Sequence, residues 1–157
     1  MGQWVESLES LNTQHSTHKH TMADKTFKLE IVTPERVVLA QDIVSLVVPG
    51  AEGSLGVMAN HAPLMAELAI GEIWFRDAEG RENHLATSGG FMEVGENTVR
   101  ILADTAERPE EIDIARAEES RKRAEERLRS LDEHADLARA EAALKRALVR
   151  LHVARGE

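Results

Sequence analysis

Residues 103–117 read Ala103-Asp104-Thr105-Ala106-Glu107-Arg108-Pro109-Glu110-Glu111-Ile112-Asp113-Ile114-Ala115-Arg116-Ala117, and the chain changes character at Pro109. Before Pro109, eight of the ten glycines fall between Gly50 and Gly95, and short apolar runs alternate with turn signals. After it, glycine is absent until Gly156, proline does not recur, and Ala, Leu, Glu and Arg dominate. Glycine and proline punctuate strands and turns, whereas those four residues favour helix. The pattern predicts an α+β protein: an N-terminal antiparallel β-sandwich (a flattened barrel) followed by a C-terminal antiparallel α-helical hairpin. The expected segments are an extension at 1–21, a sandwich domain at 22–107 and a hairpin domain at 108–157.

Upstream of the switch the period is two. Phe27, Leu29 and Ile31 alternate with Lys28 and Glu30 as in a half-buried strand. Arg36–Ala40 and Ile43–Val48 read as two further strands, the second apolar enough to be covered on both faces. Leu55–Met58, Leu64–Leu68, Glu72–Arg76, Glu82–Thr87, Gly90–Val94 and Thr98–Ala103 follow, separated by turn clusters. Nine short, evenly spaced strands predict a sandwich or flattened barrel.

Downstream, Pro109 suits the first turn of a helix, with Glu110, Glu111 and Asp113 near the positive end of its dipole. This helix is expected to run to about Leu131, with a narrow apolar line of Ala117, Ser120, Ala124, Leu128 and Leu131. Glu118 with Lys122, and Glu119 with Arg123, stand at i,i+4 spacing. Residues 130–136 connect to a second helix that opens on Asp136 as N-cap and carries Leu137, Ala140, Leu144, Ala147, Leu148 and Leu151 on one side. Two such helices joined by a short connection fold as a hairpin. Burying four or five Ala and Leu side chains yields only a few kcal/mol at about 25 cal/mol per Å². A hairpin held so lightly is expected to detach and re-dock.

The totals exclude several classes. The 157 residues carry a net charge of −9, which disfavours nucleic acid as a partner. Between Val37 and Phe75 there is no Lys or Arg, so that part of the sandwich favours a cationic or polar partner. Cysteine is absent, which excludes disulfides, thiolate catalysis and Cys-ligated zinc. No apolar run approaches the ~20 residues of a bilayer span. Residues 1–21 lack the pattern of a signal or transit peptide. Met22-Ala23-Asp24 reads as a natural start, so the upstream stretch is expected to be disordered or foreign to the fold. His15, His18 and His20 form a short His-rich tract, read as incidental rather than as a metal site.

Three blocks then carry a resemblance. They are Gly53-Ser54-Leu55-Gly56-Val57-Met58-Ala59-Asn60-His61-Ala62-Pro63-Leu64; Ser88-Gly89-Gly90-Phe91-Met92-Glu93-Val94, followed by residues 99–106; and Ile112-Asp113-Ile114-Ala115-Arg116-Ala117, with Leu144-Lys145-Arg146-Ala147 and Arg150-Leu151 downstream. In this order and spacing, residues 22–157 resemble the epsilon subunit of the bacterial F-type ATP synthase. The resemblance implies a non-catalytic central-stalk (rotor) subunit at the cytoplasmic face of the bacterial inner membrane. Its sandwich would pack on the gamma subunit and on the polar loops of the c-ring. Its hairpin would restrain ATP hydrolysis when extended toward the catalytic beta and alpha subunits. Membrane contact would come only through the complex.

Candidate sites follow. Asp113 and Arg116 lie three apart on the first helix, Arg146 and Arg150 four apart on the second, and closure of the hairpin would bring the two faces together. Guanidinium groups suit phosphate oxygens. Some members of the family bind ATP at a matching place, and there the resemblance adds Glu107. ATP is thus expected as a regulatory ligand, with no cofactor required. Glu52, Ser54, Asn60 and His61 are assigned to the c-ring and gamma interface, although many relatives carry an acid where this chain has Ser54. Arg121, Lys122, Arg123 and Arg127 form a basic cluster assigned to the catalytic head in the extended pose. Ser88-Gly89-Gly90 lacks the Gly-x-Ser-x-Gly elbow of a serine nucleophile, and Glu72, Glu79 and Glu82 are read as solvated. A free-standing ligand-binding sandwich with a helical tail is the alternative, with Trp74, Phe75 and Phe91 as its only aromatic platforms.

Overall fold

The computed structural model describes residues 25–130 and 136–157. The extension at 1–21 with its three histidines, and Leu131 with most of the connection between the helices, lie outside the described residues.

Nine strands form one sheet that wraps onto itself: β1 (Phe27–Val32), β2 (Val37–Gly50), β3 (Gly53–Met58), β4 (Leu64–Leu68), β5 (Gly71–Asp77), β6 (Glu82–Thr87), β7 (Gly90–Gly95), β8 (Thr98–Ala103) and β9 (Ala106–Glu107). The order is β1-β8-β7-β4-β2-β5-β6-β9; β3 also pairs with β2, and a β1–β2 pairing closes the ring. Every pairing is antiparallel except β1 with β8. The core joins Leu29, Ile31, Leu46, Val48, Ile73, Phe75, Met92 and Ile101, all essentially inaccessible to solvent.

Two expectations change here. The expected strands Arg36–Ala40 and Ile43–Val48 are not separate: from Val37 on both belong to β2, while Arg36 lies in the turn before it. Gln41 and Asp42 stay in register with Leu29 and Lys28 of β1, and only a bulge between Ile43 and Ser45 marks the change of partner. A polar residue on the solvent side of a strand is no break signal. Val44 and Val47 are only half-buried, so this segment is not fully covered on both faces. The two-residue β9 was not foreseen because it is too short to show a period; it pairs with β6 and carries Glu107.

Gly90 has φ +147°, and a Cβ there would lie 2.1 Å from the Leu102 carbonyl oxygen, so β7 and β8 close on each other only with glycine at this point.

Pro109–Glu111 forms a single 3₁₀ turn rather than the start of a long helix. Ile112 is extended and buries its side chain beside Ala86 and Val153, which resets the chain direction. Helix α1 (Ile114–Arg129) begins afterwards. Asp113 is therefore its N-cap, not a first-turn residue, and its carboxylate accepts the Arg116 N–H at 3.1 Å. Helix α2 (Leu137–Arg155) is capped in the same way by Asp136 and ends at Gly156 with φ 68°.

The two helices bury Ala117 and Ala124 against Ala140, Ala147 and Leu151, with Ser120, Leu128 and Leu144 half-buried. Leu137 and Leu148 of the expected stripe are exposed. Helix α2 turns part of its apolar surface, Val149 and Val153, toward the sandwich instead. The expected i,i+4 pairs also rearrange. Glu118 pairs with Arg121 at 2.7 Å and with Arg155 of the facing helix, and Arg123 donates to Ser120 Oγ at 3.3 Å. The Arg155 hydrogen bond is the main reason the Glu118 carboxyl sits below its ordinary range.

Candidate functional site

The joint between sandwich and hairpin is made by α2, which packs on β5, β6 and the 3₁₀ turn; α1 packs mainly on α2. Its apolar centre is small: Ala86, Ile112 and Val153, edged by Val149 and Ala154. Burial on that scale stabilises by only a few kcal/mol, against the entropy of holding two helices in place. Polar fasteners surround it. Arg150 donates Nε–H to Glu107 Oε1 at 2.7 Å. Arg108 reaches the Val38 carbonyl at 3.2 Å and ties the linker to β2. Glu72, read from sequence as solvated, is half-buried and holds two imidazoles: His152 Nε2 of α2 at 3.0 Å and His84 Nδ1 of β6. The His84 ring leans on Trp74, with centroids 6.4 Å apart. Among the described residues no group of three His, Asp or Glu side chains is arranged to hold a metal ion, this trio included.

Beside the joint opens a cleft of about 600 Å³. Glu107, Asp113, Arg116 and Arg150, all singled out from the sequence, line it together. Arg146 does not; it borders a small recess behind the Glu107–Arg150 pair, with Thr87, Ser88 and Thr105. The cleft also holds residues that sequence reasoning assigned elsewhere or missed, notably Arg36, Glu35, Asp104, Glu111 and Arg123. Arg123 stands seven positions, two helical turns, beyond Arg116, a spacing that could have placed both on one face. Arg36 and Glu111 had no such signal, because only the fold brings the β1–β2 turn beside the 3₁₀ turn.

The charges in the cleft are unequally engaged. Glu107 takes Arg150, and Glu111 takes both terminal nitrogens of Arg36. The Arg36 hydrogen bond holds the Glu111 carboxyl below the usual carboxylate range, and Glu111 in turn raises the Arg36 guanidinium. Among the described residues neither Arg116 nor Arg123 has a carboxylate within ion-pair distance. Two guanidiniums without a carboxylate partner among the described residues, on one helical face that lines a cleft, are suited to an anion with several oxygens.

The remaining candidates are dispersed. Glu52 and Ser54 are exposed at the β2–β3 turn, whereas Asn60 and His61 follow the other end of β3, roughly 20 Å away along the strand. Asn60 has φ 62° and donates its N–H to Asn97 Oδ1 at 2.8 Å, so it serves the turn geometry. The His61 ring sits 2.7 Å from the Ala62 carbonyl. Arg121, Lys122, Arg123 and Arg127 are not one patch: Arg121 turns back to Glu118, Lys122 and Arg127 are exposed, and Arg123 enters the cleft. On the outer face of β4, β7 and β8, Met65, Phe91 and Leu102 are more than half exposed, and Phe91 lies between Glu67 and Leu102 in register.

Residues 26–109 match the model of the ATP synthase delta/epsilon chain beta-sandwich domain, and residues 110–155 that of its long alpha-helix domain. The chain is 56% identical over 107 residues to the ATP synthase epsilon chain of Pelotomaculum thermopropionicum, covering 68% of this chain and 79% of that one. It is 46% identical over 137 residues to the epsilon chain of Natranaerobius thermophilus, covering 87% and 97%. Its fold is similar to that of a chain in the Euglena gracilis mitochondrial ATP synthase, solved as an OSCP/F1/c-ring assembly, with TM-score 0.72, 25% identity, and coverage of 83% of this chain and 81% of that one. With both domains matched in order and the sandwich, hairpin and joint as described, the chain belongs to the ATP synthase delta/epsilon chain family.

Proposed function

We propose that this chain is a non-catalytic central-stalk subunit of a bacterial F-type ATP synthase, peripheral on the cytoplasmic side of the membrane, whose hairpin regulates ATP hydrolysis. The observation that carries the reading is the joint: a small apolar contact of Ala86, Ile112 and Val153, edged by Val149 and Ala154, and a few polar contacts fasten the hairpin to a well-packed sandwich. An element held by so small a free-energy gap can exchange between two resting places. Docked, it lies along β5 and β6; extended, it carries its basic side chains toward the catalytic head. The OSCP/F1/c-ring neighbour supports F1 and the c-ring as partners, and the family resemblance adds gamma within F1. The exposed Met65, Phe91 and Leu102 suit an apolar partner surface on gamma, and the base-free, acidic β2–β3 tip around Glu52 suits the polar loops of a c-ring.

ATP fits as a regulatory ligand of the cleft. Arg116 and Arg123 would take phosphate oxygens, and Arg150 would bridge ligand and Glu107. A ligand seated against residues of both halves favours the docked pose by mass action. Two measurements test the reading. Removing residues 110–157 within the assembled complex is expected to raise its ATP hydrolysis; unchanged hydrolysis at every ATP concentration removes the regulatory role. Millimolar ATP is expected to raise the melting temperature of the isolated chain, and to fail to do so in Arg116→Ala/Arg150→Ala.

A further inference from the structure

We propose that Arg36 is the sandwich's own phosphate ligand in the cleft, held in reserve by Glu111, so that a bound polyphosphate displaces the Glu111 carboxylate and takes the Arg36 fork. This inference rests on the reading of the cleft as a nucleotide site and names how that site closes.

Arg36 comes from the turn between β1 and β2, and the remaining guanidiniums of the cleft come from the hairpin: Arg116 and Arg123 from α1, Arg150 from α2. It is thus the one arginine lining the cleft from the side that does not move when the hairpin leaves. Its turn is firm. Thr33 N–H donates to the Arg36 carbonyl at 2.9 Å, and the Thr33 hydroxyl accepts the Arg36 N–H at 3.3 Å. Its two terminal nitrogens face the two oxygens of Glu111, the planar fork arrangement that also matches a phosphate. The side chain is about half exposed, so the head group can swing without unpacking the core.

Glu111 is well placed to be given up. It lies in the 3₁₀ turn, outside both helices, and is itself partly exposed. Other acids line the same cleft: Glu35, Asp104, Glu107 and Asp113. A polyanion entering there meets their repulsion, which Arg116 and Arg123 offset in part and the Arg36 fork offsets further. Exchanging Glu111 for phosphate on Arg36 transfers a charge-assisted pair without leaving the guanidinium unpaired. It also links the β1–β2 turn to ligand and hairpin at once, so occupancy would hold the hairpin closed from both walls.

The test measures binding of ATP, and separately of inorganic triphosphate, by calorimetry on the full chain. Arg36→Ala is expected to weaken both about tenfold, the scale of one lost charged contact. Glu111→Gln, which keeps the shape and removes the competing charge, is expected to tighten both several-fold, about threefold or more. A Glu111 with only a structural role predicts the opposite sign, because losing the pair would loosen the cleft. The gain must vanish in Arg36→Ala/Glu111→Gln; a gain that survives reflects the removed charge alone and overturns the exchange. If the unaltered chain binds ATP and loses it in Arg116→Ala but is indifferent to Arg36→Ala, the proposal fails while the nucleotide reading stands. If the unaltered chain binds neither probe, both fall.

Discussion

Arg150 of α2 donates Nε–H to Oε1 of Glu107 in β9 at 2.7 Å, across 43 positions of sequence. The contact joins the last, shortest strand to the second helix, so one hydrogen bond spans the boundary between the two halves. Its side chains are about 30% exposed, which places it between a surface pair and a buried one. Arg150→Ala or Glu107→Gln should cost about 1 kcal/mol of docking free energy. Hydrogen exchange checks this: amides of α1 and α2 should exchange faster, while β1, β7 and β8 keep their protection.

Glu72→Ala removes the carboxylate shared by His84 and His152, the other polar fastener of α2. Exchange in α2 should rise as for Glu107→Gln, by a comparable factor. Because both pairs hold the same helix, the double variant should deviate from additivity, and a double-mutant cycle measures that coupling.

Asp113 has two separable duties, capping α1 and placing a negative charge in the cleft. Asp113→Asn preserves a good cap and should leave helix content and melting temperature nearly unchanged. Asp113→Ala should cost about 1 kcal/mol of stability, read by thermal denaturation followed by circular dichroism. An equal loss in both variants would show that charge, not capping, holds the start of α1.

Asp77 closes the β5–β6 turn. Its Oδ1 accepts the Arg81 and Glu79 N–H groups at 2.9 and 3.0 Å, and its Oδ2 accepts Asn83 Nδ2 at 3.2 Å. The Arg81 N–H is the main cause that holds this carboxyl below its ordinary range. A depressed carboxyl stabilises above its unfolded value, about 3.9, and the contribution disappears as pH falls through the folded value. Asp77→Ala should therefore lower the melting temperature at pH 7, and the gap to the unaltered chain should narrow in acid below pH ~4.

Gly90→Val should prevent normal pairing of β7 with β8, since its Cβ would meet the Leu102 carbonyl at 2.1 Å in a backbone conformation closed to branched residues. Loss of soluble, cooperatively folding protein is the expected readout. Gly95→Ala, with nothing near the added carbon, is the control and should fold.

The alternation of Phe27, Leu29 and Ile31, the turn glycines and the break at Pro109 were enough to announce a sandwich followed by a hairpin, because period and punctuation are local properties. Local reasoning failed where partners are distant. It divided β2 at Gln41-Asp42, since a polar pair looks like a turn until β1 is seen beside it. It overlooked β9, whose two residues have no period. It assigned Leu137 and Leu148 to the helix–helix seam because a stripe does not say which neighbour each residue meets.

The same division holds for the cleft. Asp113 with Arg116, and Arg146 with Arg150, were legible as helical spacings, and Glu107 through resemblance. Residue order by itself determined that a strand-rich half gives way to two helices and where the chain switches, since these follow from backbone preference and side-chain size along a few turns. Only the tertiary structure decided that Arg36 faces Glu111, that Arg123 joins Arg116 while Arg146 is set behind, and that Glu72 grips two imidazoles. Those pairings depend on loop closure across tens of residues, and charge interactions act only at the short distances that packing alone establishes.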